Sequence, residues 1–266
     1  MKIVVISLGG SLIIPDKINF KFLDAFKKEI RKHYRTHKFV VVCGGGLIAR
    51  RYIAALRAER KSIEEMSEAG IMATRMNALF MIQFFGKEAN KSLPVNMEEI
   101  KDSLAKNNVV FCGALRYSKD STSDGTAAKI AHFLKADFIN LTNVKGLYTD
   151  DPKVNKNAKF VPYETWEKFE KMALKIKYNP GQHFILDQQA AIIIREYRIK
   201  TYIIGSQLKN LSNIIKGKKF IGTEIDGIEN SGNKNTISSE FSKGQFLKRR
   251  DLMNRRVHKN DKHKRY

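Results

Sequence analysis

Apolar runs and helical-period stretches alternate from the N-terminus to about residue 225. Residues 3–8 read as a buried strand, and Asn19 is placed to cap a helix whose Leu23, Phe26 and Ile30 share one face. The apolar run 39–43 predicts a second strand, followed by Gly44-Gly45-Gly46 and a helix aligning Ile48, Tyr52, Ile53 and Leu56. A long helix is expected over 63–85, a short strand over 109–112, a small-residue helix over 126–134 and a strand over 137–141. Helices near 164–174 and 188–197 precede a last clear strand at 201–204. This succession implies an α/β fold, a mainly parallel central sheet covered by helices on both faces. The pattern stops after Ile225. Residues 226–266 are rich in Asn, Ser, Gly, Lys and Arg, with 11 basic against 5 acidic side chains. We therefore expect a folded domain over 1–225 and a disordered basic tail over 226–266, in which 246–257 could form an amphipathic helix on a partner.

Four turns after predicted strands carry the candidate chemistry. In Gly9-Gly10-Ser11 the missing side chains let backbone amides approach a phosphate, and Ser11 adds a hydroxyl. Gly44-Gly45-Gly46 opens a helix with Arg50 one turn inside, which offers amides and a guanidinium to an anion. Ser121-Thr122-Ser123-Asp124-Gly125-Thr126 supplies hydroxyls, helix N-terminal amides and a carboxylate able to orient a cation or a water. The stretch from Leu141 to Pro152 leaves a buried strand as a loop holding hydroxyls, an amide, one flat ring at Tyr148 and carboxylates. Such groups at the carboxyl end of a parallel strand suit a purine base and its ribose.

Composition narrows the classes. The chain has 266 residues, 42% of them hydrophobic, which is enough for one large core. Cys43 and Cys112 end apolar runs before glycines and read as buried thiols of a reducing compartment. No segment approaches the length of a membrane span or a signal core, so a cytoplasmic protein is expected. The formal charge of +22 points to anionic partners, though it is spread along the chain, and the basic tail suits RNA. There is no Walker-type loop, no Gly-x-Gly-x-x-Gly after the first strand and no Cys/His metal cluster. His33, His37 and His132 lie on helix-like stretches and read as structural.

In this order, the strings LGGSLI, GGGLIARRYI, ATRMNAL, TSDGTAAKIAHFLKAD and LTNVKGLYTDDP resemble the amino-acid kinase superfamily, and within it the archaeal type of uridylate (UMP) kinase. The resemblance spans residues 1 to about 225, with 218–225 as the family's last strand. Relatives acting on isopentenyl phosphate carry His before the triple glycine, where this chain has Cys43. The resemblance implies a three-layer α/β/α sandwich and Mg²⁺-dependent phosphoryl transfer from ATP to UMP in pyrimidine nucleotide biosynthesis. It also implies a homohexamer. Gly10, Ser11, Gly46 and Arg50 would then hold the ATP phosphates, and Thr142, Asn143, Tyr148 and Asp151 would frame the adenosine. Gly45, Thr122 and Ser123 fall where the UMP phosphate is held, with Ser121 beside them, and Ser67 stands where relatives place an Asp at the ribose. Asp124 takes the place of the organising aspartate and, with Arg50, the catalytic role.

The chain also departs from that pattern. Ser7 stands where many superfamily members place a phosphate-binding Lys, and Lys145 replaces an Asp. Residues 114–121 form a longer, more basic segment than the relatives' Thr-His-Pro-Gly-His. A different small phosphate or carboxylate acceptor, or a catalytically weak nucleotide-binding protein with an RNA-binding tail, are the competing readings.

Overall fold

A computed structural model of the protein describes residues 1–115, 122–150, 152, 154–175 and 186–227. The chain opens with β1 (Lys2–Leu8), the single-turn α1 (Gly10–Ile13), α2 (Phe20–Arg31), β2 (His37–Cys43), α3 (Gly46–Ala58) and α4 (Ile63–Phe85). There follow α5 (Met97–Lys106), β3 (Val109–Cys112), α6 (Ser123–Leu134), β4 (Asp137–Leu141), β5 (Leu147–Tyr148), β6 (Phe160–Val161) and β7 (Tyr163–Glu164). The described part ends with α7 (Trp166–Leu174), α8 (Gln188–Glu196), β8 (Thr201–Ile204), α9 (Lys209–Ile215) and β9 (Thr223–Ile225).

Seven strands form one sheet in the order β3-β2-β1-β4-β8-β9-β7, parallel except where β9 runs against β8. The strands β5 and β6 make a separate antiparallel hairpin. Alternation along the strands divides the core into two layers. Val40, Val42, Val110, Cys112 and Phe138 face a cluster built with α5, α6, α7 and α8. Phe39, Val41, Cys43, Phe111 and Ile139 face a second cluster built with α2 and α4. The expected α/β/α sandwich is the observed fold.

Local rules explain most element boundaries. Asn19 accepts from the Phe22 amide and caps α2. α4 occupies the expected 63–85 because Ser62 and Glu65 form a reciprocal capping box. Two helices start differently from the expectation, at caps the periodicity does not register. Thr122 caps α6 from residue 123, and Thr165 caps α7 from residue 166. The stretch holding His33 and His37 is not helical as expected. His33 lies in the turn closing α2, and His37 begins β2 opposite Lys2. The structural reading of His33 agrees with its place: buried, with its Nε2 2.6 Å from Ser212 Oγ, whose hydroxyl donates to Glu29 and so ties α2 to α9. Most of the tail lies outside the described residues.

Candidate active site

The glycine turns after β1 and β2 are pressed back to back. A Cβ on Gly10 would collide with the backbone of Gly44 and Gly46, and Gly46 has φ +60°, a conformation that strains any L side chain. Gly44 N donates to Leu8 O at 2.9 Å, and Asn77 Nδ2 of α4 donates to Gly44 O at 2.7 Å. Gly9 N donates to Leu141 O at 2.9 Å, which joins the first turn to the end of β4. Gly10, Ser11, Gly45 and Gly46 are thus gathered at the carboxyl edge of the sheet. First-turn amides of α3 have no intrahelical acceptor, and Arg50 lies half-buried on the same helix.

A pair of carboxylates sits beside these turns. Asp124 belongs to the first turn of α6, and Ser7 Oγ of β1 donates to its Oδ1 at 2.6 Å. Asp187 caps α8 by accepting from the Ala190 amide at 2.9 Å, and Thr122 Oγ1 also donates to it. The two helix N-termini abut so closely that a Cβ on Gly125 would lie 2.7 Å from Gln189 Oε1. Burial, followed by the Asp187 charge, pushes Asp124 up to about 7 against the opposing Ser7 hydrogen bond. Asp187 is also raised, by burial, against hydrogen bonds from Thr122 and the amides of α8. Two acids that resist joint ionisation at a strand edge are poised for a cation or a developing charge. Asp187 escaped the sequence reasoning, since a lone Asp before a helix reads as an ordinary cap. Ser7 was legible as a departure but not as the partner of Asp124, a contact across 117 residues.

The 141–152 loop forms one flank. Thr142 N donates to Ile204 O at 2.9 Å, and the loop then passes over Gly205, where a Cβ would stand 3.0 Å from Val144 O. Leu147 N donates to Thr223 Oγ1 at 2.8 Å, and that hydroxyl donates to Val161 O at 2.5 Å. Buried Thr223 therefore pins both strands of the β5–β6 hairpin to β9. Tyr148 is half-buried and packs edge-on to Phe160, with ring centroids 5.5 Å apart, while Asn143 is exposed. Asp151 lies outside the described residues.

The opposite flank is made by α4 and the chain leaving β3. Ser67 is half-buried on α4, one turn before Gly70, whose carbonyl lies 3.4 Å from the position of a Cβ on Gly45. Ala114 N donates to Thr74 Oγ1 at 2.9 Å, and Arg75 Nε donates to Ala114 O at 3.0 Å. Thr122 and Ser123 return the chain to the carboxylate pair as the cap and first residue of α6. Ser121 lies outside the described residues, as does most of the 114–121 segment. No group of three or more metal-ligating side chains occurs among the described residues, and none of their helices is long and apolar enough to cross a membrane.

Known proteins share this fold. The uridylate kinase of Thermococcus onnurineus is 31% identical over 225 residues, covering 84% of this chain and 99% of that protein. The uridylate kinase of Archaeoglobus fulgidus is 34% identical over 223 residues, covering 84% and 99%. Its crystal structure superimposes with a TM-score of 0.72, over 85% of this chain and 100% of that one. The UMP kinase of Ureaplasma parvum, 21% identical over 85% of this chain and 99% of its own, shares the fold with a TM-score of 0.69. Residues 2–205 match the model of the amino acid kinase family. With the sheet, the paired glycine turns and the α6 N-terminus placed as described, the chain belongs to the amino acid kinase family.

Proposed function

We propose that the protein is a nucleoside monophosphate kinase that transfers the γ-phosphoryl group of ATP to UMP, giving ADP and UDP. The observation carrying this reading is the convergence of the Gly10 and Gly46 turns with half-buried Asp124 at one sheet edge. It is supported by relatives named uridylate kinases along 84% of the chain. ATP lies along this edge, with its phosphates on Gly10, Ser11, Gly46 and Arg50 and its adenosine against Thr142, Asn143, Tyr148 and Asp151. UMP takes the other flank, with its phosphate near Gly45, Ser121, Thr122 and Ser123 and its ribose near Ser67.

An oxygen of the UMP phosphate attacks Pγ, and the bond from Pγ to the bridging oxygen of ADP breaks, its electron pair leaving on ADP. The acceptor is already ionised at neutral pH, so no general base is needed. The chain's task is to bring two polyanions into line and offset their repulsion with backbone amides and Arg50. Mg²⁺ keeps most of its waters and takes one or two carboxylates together with substrate phosphates. Asp124 and Asp187 fit that donor set, being paired, half-buried and mutually repelling. When bound there, the ion would neutralise charge on the donor phosphates. At the position where many members of the superfamily place a Lys, Ser7 contributes no charge and orients Asp124 instead.

The reading extends to assembly. Met72, Met76 and Leu79 leave an exposed apolar stripe on α4, with Tyr52 exposed on neighbouring α3. A stripe of this kind favours association, consistent with a homo-oligomer.

The experiment is ADP release across a panel of nucleoside monophosphates with saturating Mg-ATP. UMP should stimulate release most, and no stimulation by UMP at saturation would exclude it as the acceptor. Thr223 supplies a second expectation. Thr223→Val keeps the shape but leaves the Leu147 amide and Val161 carbonyl unpaired, at about 1–3 kcal/mol. In steady-state kinetics the KM for ATP should rise several-fold while the KM for UMP stays put.

A further inference from the structure

We infer that Arg75 is a positioning residue for the acceptor, acting by fixing where the chain leaves β3; the inference rests on the kinase reading above. The sheet order places the end of β3 beyond β2, on the side of the glycine turns away from the 141–152 loop. A donor lying over β4 and β1 therefore leaves the second substrate the space between β2, β3 and α4. The backbone at that place is held by hydrogen bonds with α4. Gly113 is packed so tightly that a Cβ would stand 2.7 Å from both Arg75 N and Thr74 Oγ1. Thr74 takes the Ala114 amide, and the Arg75 guanidinium spans the next two carbonyls, donating from Nε to Ala114 O and from Nη2 to Leu115 O. Ala114 and Leu115 bury their side chains in the core, so both faces of this short segment are committed.

The same helix sets the phosphate turn, since Asn77 holds Gly44 O from two residues further along. α4 thus fixes the spacing between the β2 turn, where phosphoryl transfer takes place, and the β3 exit, where the acceptor is met. The planar fork of Arg can hold two successive carbonyls at once, whereas the point charge of Lys cannot. Thr74, Arg75 and Asn77 all belong to the ATRMNAL string, which carried the family resemblance without any role assigned to it.

The test uses the full chain as wild type, Arg75→Ala and Arg75→Lys. Steady-state KM values for UMP and ATP are measured beside amide hydrogen exchange of residues 113–115. Both variants should exchange there about tenfold faster than wild type, as a loosened local segment does. The KM for UMP should rise about tenfold, with the KM for ATP changed less than twofold and Arg75→Lys no better than partial in rescue. Wild-type exchange in both variants, or KM values for the two substrates rising in parallel, would overturn the inference. Should Arg75→Ala fail to fold, Arg75→Lys decides. If UMP does not stimulate the wild type, the acceptor reading falls on that result, and the exchange rates alone decide whether Arg75 fixes the β3 exit.

Discussion

Replacing Asp124 with Asn is expected to lower kcat by about 10²- to 10³-fold, the scale of losing a preorganised electrostatic group at a reacting centre. The KM for ATP should change by no more than a few-fold, because the glycine turns and the 141–152 loop remain. Asn keeps the shape and still accepts the Ser7 hydroxyl through Oδ1, so the loss isolates the charge. Equal losses in kcat and ATP affinity would show that Asp124 acts as part of the donor pocket rather than on the transferring group.

The same variant should be more stable than wild type. Burial and the neighbouring Asp187 raise Asp124 from the ordinary carboxyl range to about 7, so the fold favours the protonated acid. Stability from this group is complete below about pH 4, its value in the unfolded chain, and is lost as pH rises through about 7. At pH 8, without metal or nucleotide, wild type therefore carries the repulsion of two half-buried carboxylates. The Asp124→Asn substitution removes it, and a gain of about 1–3 kcal/mol is expected there, shrinking toward pH 5. Thermal melts of both proteins at the two pH values measure it. A gain independent of pH would mean that the pair is not strained by its charges.

How far this site could be read from the chain alone follows from the kind of interaction involved. The strands β1 to β4 and β8, the Asn19 cap, the span of α4 and the glycine turns depend on neighbours in sequence, and each appears where local periodicity and capping place it. The helix α5 was overlooked because just two of its residues, Ile100 and Leu104, are buried, too few to mark a period. The antiparallel turn of β9 against β8 is a choice of sheet partner, and no property of residues 223–225 alone dictates it. In the site, Asp124 was visible because it belongs to a dense cluster of polar residues. Asp187, Thr223 and the carbonyl grip of Arg75 were not, because their partners are 65, 76 and about 40 residues away. A cap, a strand threonine and a helix arginine are ordinary until the fold supplies the other half of the contact.

Gly10→Ala should be the most damaging single methyl in the described chain. Gly10 does not have the positive φ that marks Gly46, so its requirement is for space alone. The added carbon would meet backbone at Gly44 and Gly46, and backbone cannot rotate away as a side-chain tip can. Overpacking of this kind costs about 1–3 kcal/mol, equivalent to roughly 3–10 °C in the thermal midpoint of a domain this size. Activity should fall further than stability, by more than about 10²-fold, because a displacement near 1 Å separates the amides of the two turns that must face one transferring group. Gly217→Ala provides the control. Gly217 has φ +63° with nothing within 4 Å of its Cβ position, so alanine there meets backbone strain without a clash, at about 1 kcal/mol. A Gly10→Ala protein that melts early yet keeps its turnover would make the contact between the turns a packing feature, and would separate the close approach of β1 and β2 from phosphate binding.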